Sequence, residues 1–281
     1  MWMRVIPIVC CVWFAATSMA PAQEQQPPPQ TPPVAPMLPI EAPAGEATQQ
    51  LVPVDGGVPG DTMGEDGDET DLKLREAVSS CQGDGGLMPT GGIGADLENP
   101  EETTLQFLSY VQKFTFRSSC SQMMAAWALE LKNEALALDE TNRALAAGAA
   151  DKDAVEKSKQ KVSEVSAAVD AGLKDDSREL KKASRGPLLA AILYTAVTVK
   201  ASVDYAKAAK DYVGFTGNVL KNAGMFQKAR MALSLRSSIG FAKDTPGAIA
   251  STLGSLRALV GYARARGVEV PADALSVIEG K

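Results

Sequence analysis

Residues 121–147 read SQMMAAWALELKNEALALDETNRALAA, and their spacing decides the fold. Met124, Leu131, Leu138 and Leu145 fall seven residues apart, with Ala128 and Ala135 in the seam between them. An apolar strip of that period lies along one side of an α-helix and must be covered by a second helix, and alanines in it let the two axes approach closely. Toward the N-terminus, Phe107, Tyr110, Val111 and Phe114 keep helical spacing. Asn99-Pro100-Glu101-Glu102 marks a helix start: an N-cap, a proline preorganised for the first turn, and two acids at the positive end of the helix dipole, with Glu102 placed to reach back. One long helix is expected to begin at this cap and run to about residue 147. A bend is expected near 115–121, where helix propensity drops.

Working forward, Gly148 lies in a small, uncharged run, and Asp151 or Asp153 can cap a second helix, Asp153 and Glu156 having capping-box spacing. Val155, Val162 and Val169 repeat by seven with Val165 between them, and the helix is read on through a charged stretch to Gly186-Pro187. The two arms predict an antiparallel helical hairpin over 99–186, with arms of roughly 45 Å at 1.5 Å per residue. Residues 188–199 are apolar nearly all round, which predicts a central core helix whose seam continues through Val203, Ala206 and Val213 until Gly214 and Gly217 break it. A shorter helix is read over 218–235. Thr245-Pro246 opens another, with Ile249, Leu253, Leu256, Val260 and Ala263 as its apolar seam and Ala250, Gly254, Gly261 and Ala265 as a strip for close helix approach. Pro271 opens a last short helix over 272–279. No segment alternates with period two, so the fold class is all-α: a hairpin (99–186) followed by a bundle (187–281).

The N-terminal quarter speaks of location. Arg4, the apolar residues 5–14 and the small-residue triplet Ala20-Pro21-Ala22 have the layout of a secretory signal peptide over 1–22, whose removal would discard Cys10 and Cys11. Residues 21–59 hold 11 of the 17 prolines and no aromatic residue. A disordered linker is expected over 23–70, Pro/Gln-rich and then acidic and Gly-rich, because it cannot bury enough apolar surface to offset its ordering entropy. Pro29 and Pro32 fit P-x-x-P, a spacing frequent by chance in such composition. The acidic residues 66–71 miss the register of a calcium loop. Residues 71–98 are read as a short helix and a glycine-rich loop without the strand or Lys-Ser/Thr ending of a phosphate cradle.

Charge and composition close several chemistries. Residues 23–100 carry 14 acidic and 2 basic side chains, whereas 200–281 carry 6 acidic and 12 basic. The chain has no histidine, which removes Ser-His-Asp and Cys-His nucleophile systems and nearly every zinc or copper site. No cofactor and no metal are expected. Cys81 and Cys120 are expected to pair as a structural disulfide, because they lack C-x-x-C spacing and the leader implies an oxidising compartment. Closing that loop constrains the unfolded chain by about 4 kcal/mol in the chain-entropy model.

These features predict an exported, periplasmic or secreted, non-catalytic helical protein that docks through its bundle on another envelope or extracellular protein, with self-association as a further option. A membrane-active protein that inserts the apolar helix near 188–203 is the first alternative. A carboxylate-dependent hydrolase of envelope glycans is the second, although no Glu stands in a recognisable catalytic context. The candidate docking tract is Lys221, Lys228, Arg230, Arg236 and Lys243, an acid-free basic run interleaved with apolar residues as far as Lys243. It suits an anionic membrane surface, an acidic partner or the chain's own acidic segment; nucleic acid is not expected of an exported, acidic protein. Protein recovered from cells should begin at Gln23. Limited proteolysis should then trim it to a core starting between about 70 and 100 with undiminished helical circular dichroism, and protection of the Pro-rich tract would overturn the linker.

Overall fold

Two stacked aromatic pairs set the register of the central helices. Phe107 lies on Tyr212 with ring centroids 4.3 Å apart, and seven residues further along Phe114 lies on Tyr205 at 4.6 Å. One helix advances by seven while its partner retreats by seven, so the two run antiparallel.

The computed structural model describes residues 69–83, 88–89, 92–94, 99–148 and 152–280, and over 225–234 the backbone alone. All lie in one unit, Val54–Lys281. The expected signal peptide over 1–22 and the expected linker up to residue 68 fall outside the described residues; at 69–70, read as linker, helix already begins at Glu69. The helices are α1 (Glu69–Cys81), α2 (Pro100–Ala128), α3 (Lys132–Ala147), α4 (Lys152–Leu173), α5 (Arg185–Asn222), α6 (Met225–Ala265) and α7 (Ala272–Glu279), and no strand occurs among the described residues. The fold is all-α. α2 is the hub, touching α1, α3, α4, α5 and α6, while α7 rests on α5 and α6.

The expected start at Asn99 holds, but Asn99 makes no side-chain bond to the helix backbone; its amide donates to Glu102 Oε2 at 3.1 Å. The heptad seam is buried as read at Met124, Ala128, Ala135, Leu138 and Leu145, with Leu131 partly buried. Residues 115–121, where a bend is expected, are continuous helix without a break. The chain instead breaks at 129–131. Leu131 N–H reaches Ala126 O at 2.8 Å and Glu130 N–H reaches Trp127 O at 2.9 Å, a Schellman closure with Glu130 at φ 59°. The heptad runs through this break because the seam needs only one side covered, not a continuous axis. α6 ends in the same closure, Val268 N–H to Ala263 O, with Gly267 at φ 68° in the left-handed position.

Glu130 holds that strained place through its side chain, accepting from Lys181 Nζ at 2.9 Å and Ser184 Oγ at 2.7 Å. Burial alone would raise its pKa, but these bonds and the charges of Lys181 and Lys132 outweigh it and hold the carboxyl below its usual value. Its contribution is therefore present above the ordinary carboxylate range and is lost as pH falls through the lowered value. Three further contacts tie this corner. Gly172 packs where a Cβ would meet Leu129 Cδ1 at 3.1 Å, Arg178 donates to Leu129 O, and Arg266 donates to the carbonyls of Asp175, Asp176 and Arg178.

Because of this break, the hairpin is made by α3 and α4 and folds back on α2 rather than projecting. α4 ends at Leu173, not at Gly186-Pro187. A 3-10 turn, Lys182–Ser184, precedes α5, and Pro187 sits in the first turn of α5, where a missing N–H costs nothing. α5 continues through Gly214 and Gly217 to Asn222, since packing against α2 outweighs two glycines. Its buried face is Ala201, Tyr205, Ala208, Tyr212, Phe215 and Val219; the expected seam of Val203, Ala206 and Val213 is exposed. Aromatic rings bury far more area than valines and select the face. Likewise 225–265 is one helix with Pro246 on its exposed side, not two helices separated near 236–244. Its seam of Leu256, Val260 and Ala263 is buried as read, but Ala250, Gly254, Gly261 and Ala265 face outward, away from any described helix.

Replacing Glu130 by Ala keeps the left-handed backbone and deletes both bonds, whereas Glu130→Gly deletes the bonds and the strain together. Chemical denaturation should find the alanine variant less stable than the glycine variant by about 1 kcal/mol, and equal stabilities would refute the strain at this corner.

Candidate functional site

Three places gather polar or charged side chains with an arrangement that packing alone does not require. The first surrounds the disulfide. Cys81 closes α1 and Cys120 lies within α2, bonded with Cα atoms 6.0 Å apart. Both are buried, Asn142 Nδ2 stands 3.5 Å from Cys120 Sγ, and Tyr194 Oη donates to Cys81 O at 2.9 Å. Burial pushes the Tyr194 phenol up to about 12, against the opposing pull of the Arg117 charge, and burial lowers Arg117 from its ordinary value. A disulfide walled by α1, α2, α3 and α5 offers no approach to a thiol in solution, so its chemistry is that of a staple. An open groove beside it, lined by Lys73, Glu76, Asp139, Glu140 and Arg143, mixes both signs of charge and has Asp139 paired to Arg143 at 2.9 Å.

The second is the outward face of α6. Of the predicted tract, Lys221 is exposed in the last turn of α5, and Arg236 and Lys243 are exposed on α6. Lys228 and Arg230 lie on α6 where side chains are not described, and helical register sets Arg230 about 200° round the axis from Lys228. The tract therefore does not form one face. A different set does. Arg236, Lys243, Arg257 and Arg264 repeat by seven, with Ala250 at the missing step, all exposed and without an ion pair among the described residues. Four residues after each of Arg236, Lys243, Ala250 and Arg257 stands a glycine: Gly240, Gly247, Gly254 and Gly261. A Cβ added at any of these four would meet nothing within 4 Å. Gly in a helix interior costs about 1 kcal/mol relative to Ala, so the four together cost about 4 kcal/mol with no intramolecular contact that requires them.

The third is a cleft of about 190 Å³ among α2, α4, α5 and α6. Ser118, Ser121 and Gln122 come from α2, Ser163 and Ser166 from α4, Thr195 and Tyr205 from α5, and Ser251, Thr252 and Ser255 from α6, with Phe114, Val162 and Ala248 supplying apolar wall. No carboxylate lines it; Lys159, at the rim, is drawn to Asp244 at 3.4 Å and lies 4.7 Å above the Phe241 ring. Ser118 Oγ and Gln122 Oε1 are buried without a hydrogen-bond partner, a state that costs about 1–3 kcal/mol each unless something fills the cleft. Among the described residues, no group of His, Cys, Asp and Glu is arranged to hold a metal.

No family model, curated protein or solved structure matches the chain.

Sequence reading missed the cleft and the α6 repeat for identifiable reasons. The cleft's hydroxyls sit at helical intervals on separate helices (163 and 166; 118, 121 and 122; 251, 252 and 255), each strip unremarkable until the helices are assembled. The seven-residue repeat on α6 is visible only if 225–265 is one helix, and Pro246 argues locally against that.

Thiol counting on unfolded, unreduced protein should find no free thiol from Cys81 or Cys120. The Cys81→Ala, Cys120→Ala double variant should lose about 2–5 kcal/mol in denaturant unfolding, and an unchanged midpoint would show that the staple carries no stability.

Proposed function

We propose that this is an exported, non-catalytic helical docking protein whose recognition surface is the outward face of α6, and that its partner presents an acidic helix. The observation that carries the reading is the repeat of basic residue and glycine along that face. Four cations without an ion pair among the described residues, spread over 28 positions, make a stripe about 42 Å long at 1.5 Å per residue, and a stripe of one sign selects a partner of the other. The glycines add shape. A strip without side chains lets another helix approach the backbone closely, a benefit that a fluid membrane surface does not draw on. Two copies meeting through this same face would bring like charges together, which argues against self-association there. The leader-like residues 1–22 and the buried Cys81–Cys120 disulfide support an oxidising compartment for the meeting.

A second reading, membrane insertion of α5, has one observation in its favour: the segment 182–222 is long and apolar enough to cross a bilayer. Half of its most apolar window is buried, and leaving the bundle would separate both stacked aromatic pairs from α2. The docking reading is therefore preferred.

A photo-crosslinking side chain placed at Ala250 of the protein in its own cells should give one discrete adduct. Reversing charge at Arg236, Lys243, Arg257 and Arg264 together should remove it. Filling the strip with Gly247→Leu and Gly254→Leu should weaken it without loss of helical signal. Exposed charges act over about 8 Å at physiological ionic strength, so affinity through this face should fall steeply with salt. Binding should also be stronger when residues 23–70 are removed, since that acidic segment competes for the stripe. An adduct indifferent to charge reversal, or dye release from anionic liposomes that tracks residues 188–203, would overturn the docking reading in favour of the membrane.

A further inference from the structure

We infer that the cleft among α2, α4, α5 and α6 is a binding site for a small, neutral, polyhydroxylated molecule of about one sugar ring. The hydrogen-bonding state of its lining selects that class. Thr195 and Thr252 spend their hydroxyl protons on carbonyls of their own helix, Ala191 O and Ala248 O, and so face the cleft as acceptors. Ser121, bonded to Thr195, must be the donor of that pair because the single Thr195 proton is already committed. Gln122 gives its amide N–H to Ser255 Oγ at 3.2 Å and keeps Oε1 as a buried acceptor with nothing to accept from. Gln122 is 6% exposed, and the orphaned Ser118 Oγ lines the same space.

The lining therefore offers three fixed acceptors, Thr195, Thr252 and Gln122 Oε1, beside serine hydroxyls that can both donate and accept, and a ligand that also does both satisfies it. A fully ionised anion such as acetate leaves the three fixed acceptors unmet, and the one cation at the rim is already engaged by Asp244. A cation would find that same lysine and no carboxylate. A polyol satisfies the lining: its hydroxyls donate to Gln122 Oε1 and the threonine oxygens, and its C–H faces lie against the Phe114 and Val162 wall. The volume of about 190 Å³ equals that of on the order of six liquid waters, room for about a dozen heavy atoms. The site is centred away from the α6 docking face: Thr252 and Ser255 turn inward, and only the exposed Ser251 lies toward the outer repeat.

The test uses the full-length protein with D-glucose and myo-inositol as neutral probes and sodium acetate and sodium phosphate as anionic ones. Saturation-transfer NMR should show transfer from protein methyl groups to ring hydrogens of a neutral probe, with a millimolar or tighter dissociation constant and no preference for either anion. Ser163→Trp, at the exposed mouth of α4, should plug the cleft and weaken binding at least tenfold while circular dichroism stays unchanged. Gln122→Leu should remove the orphaned acceptor and weaken it by a similar factor. No transfer to either neutral probe, tighter binding of an anion, or binding indifferent to the Ser163→Trp plug would each overturn the assignment.

Discussion

The antiparallel seam between α2 and α5 is the constraint on which the other helices depend. Two aromatic pairs at heptad spacing fix its register, and a third ring, Phe215, leans on Tyr212. Such rings bury 150–250 Å² each, so a one-residue slip along this seam forfeits more than any alanine-lined contact elsewhere can return. With α2 held on one side by α5, its opposite side is free for the short hairpin of α3 and α4, and α6 closes the gap between hairpin and α5. α1 is a short helix of 13 residues, and Cys81 ties it covalently to α2. Its other attachments are the apolar face of Leu74, Ala77 and Val78, buried in the core, and a polar contact, Trp127 Nε1 donating to Asp71 at 3.1 Å with Lys132 pairing to the same carboxylate.

Much of this was legible because apolar period outlives local irregularity. Helix identity, the all-α class, the start at Asn99-Pro100, the seam through Leu138 and Leu145 and the Cys81–Cys120 staple all follow from spacing and chemistry within a few dozen residues. The misplaced helix boundaries share one cause. Gly214, Gly217, Pro246 and Gly186-Pro187 were each read as punctuation, yet three of these signals lie inside helices and the fourth inside a first turn. Stop signals of about 1–3 kcal/mol are overridden when a helix of about 40 residues packs along its whole length. The real break carries no stop signal at all. Glu130 occupies a left-handed cap where glycine would be expected, and the residues that hold it, Lys181 and Ser184, are more than fifty positions away. No local reading can supply that distance.

The same reasoning separates structure from function in α6. Its inner face obeys the rules of a packed helix: Leu256, Leu259, Val260 and Ala263 are buried and regularly spaced. Its outer face breaks them, placing four glycines and four cations without an ion pair among the described residues where alanine, glutamate and lysine in alternation would stabilise the helix at no structural loss. Local rules are broken without internal compensation where something outside the chain supplies the compensation. A solvated face explains scattered charge of both signs; it does not explain one sign at a period of seven alongside glycine at the same period.

The segment 115–121 makes the complementary case inside the protein. Thr115, Ser118, Ser119, Cys120 and Ser121 are poor choices for the middle of a helix, and a bend would have relieved them. The helix instead continues without a break: Cys120 reaches α1, and Thr115, Ser118 and Ser121 open toward the cleft. Apolar residues at the same positions would fill the cleft and stabilise the α2–α4 contact by about 1 kcal/mol per methylene buried. The hydroxyls forgo that gain on all four surrounding helices at once. A polar lining contributed by four helices suits a polar occupant, and the acceptors fixed at Thr195, Thr252 and Gln122 beside serine hydroxyls suit one that both donates and accepts.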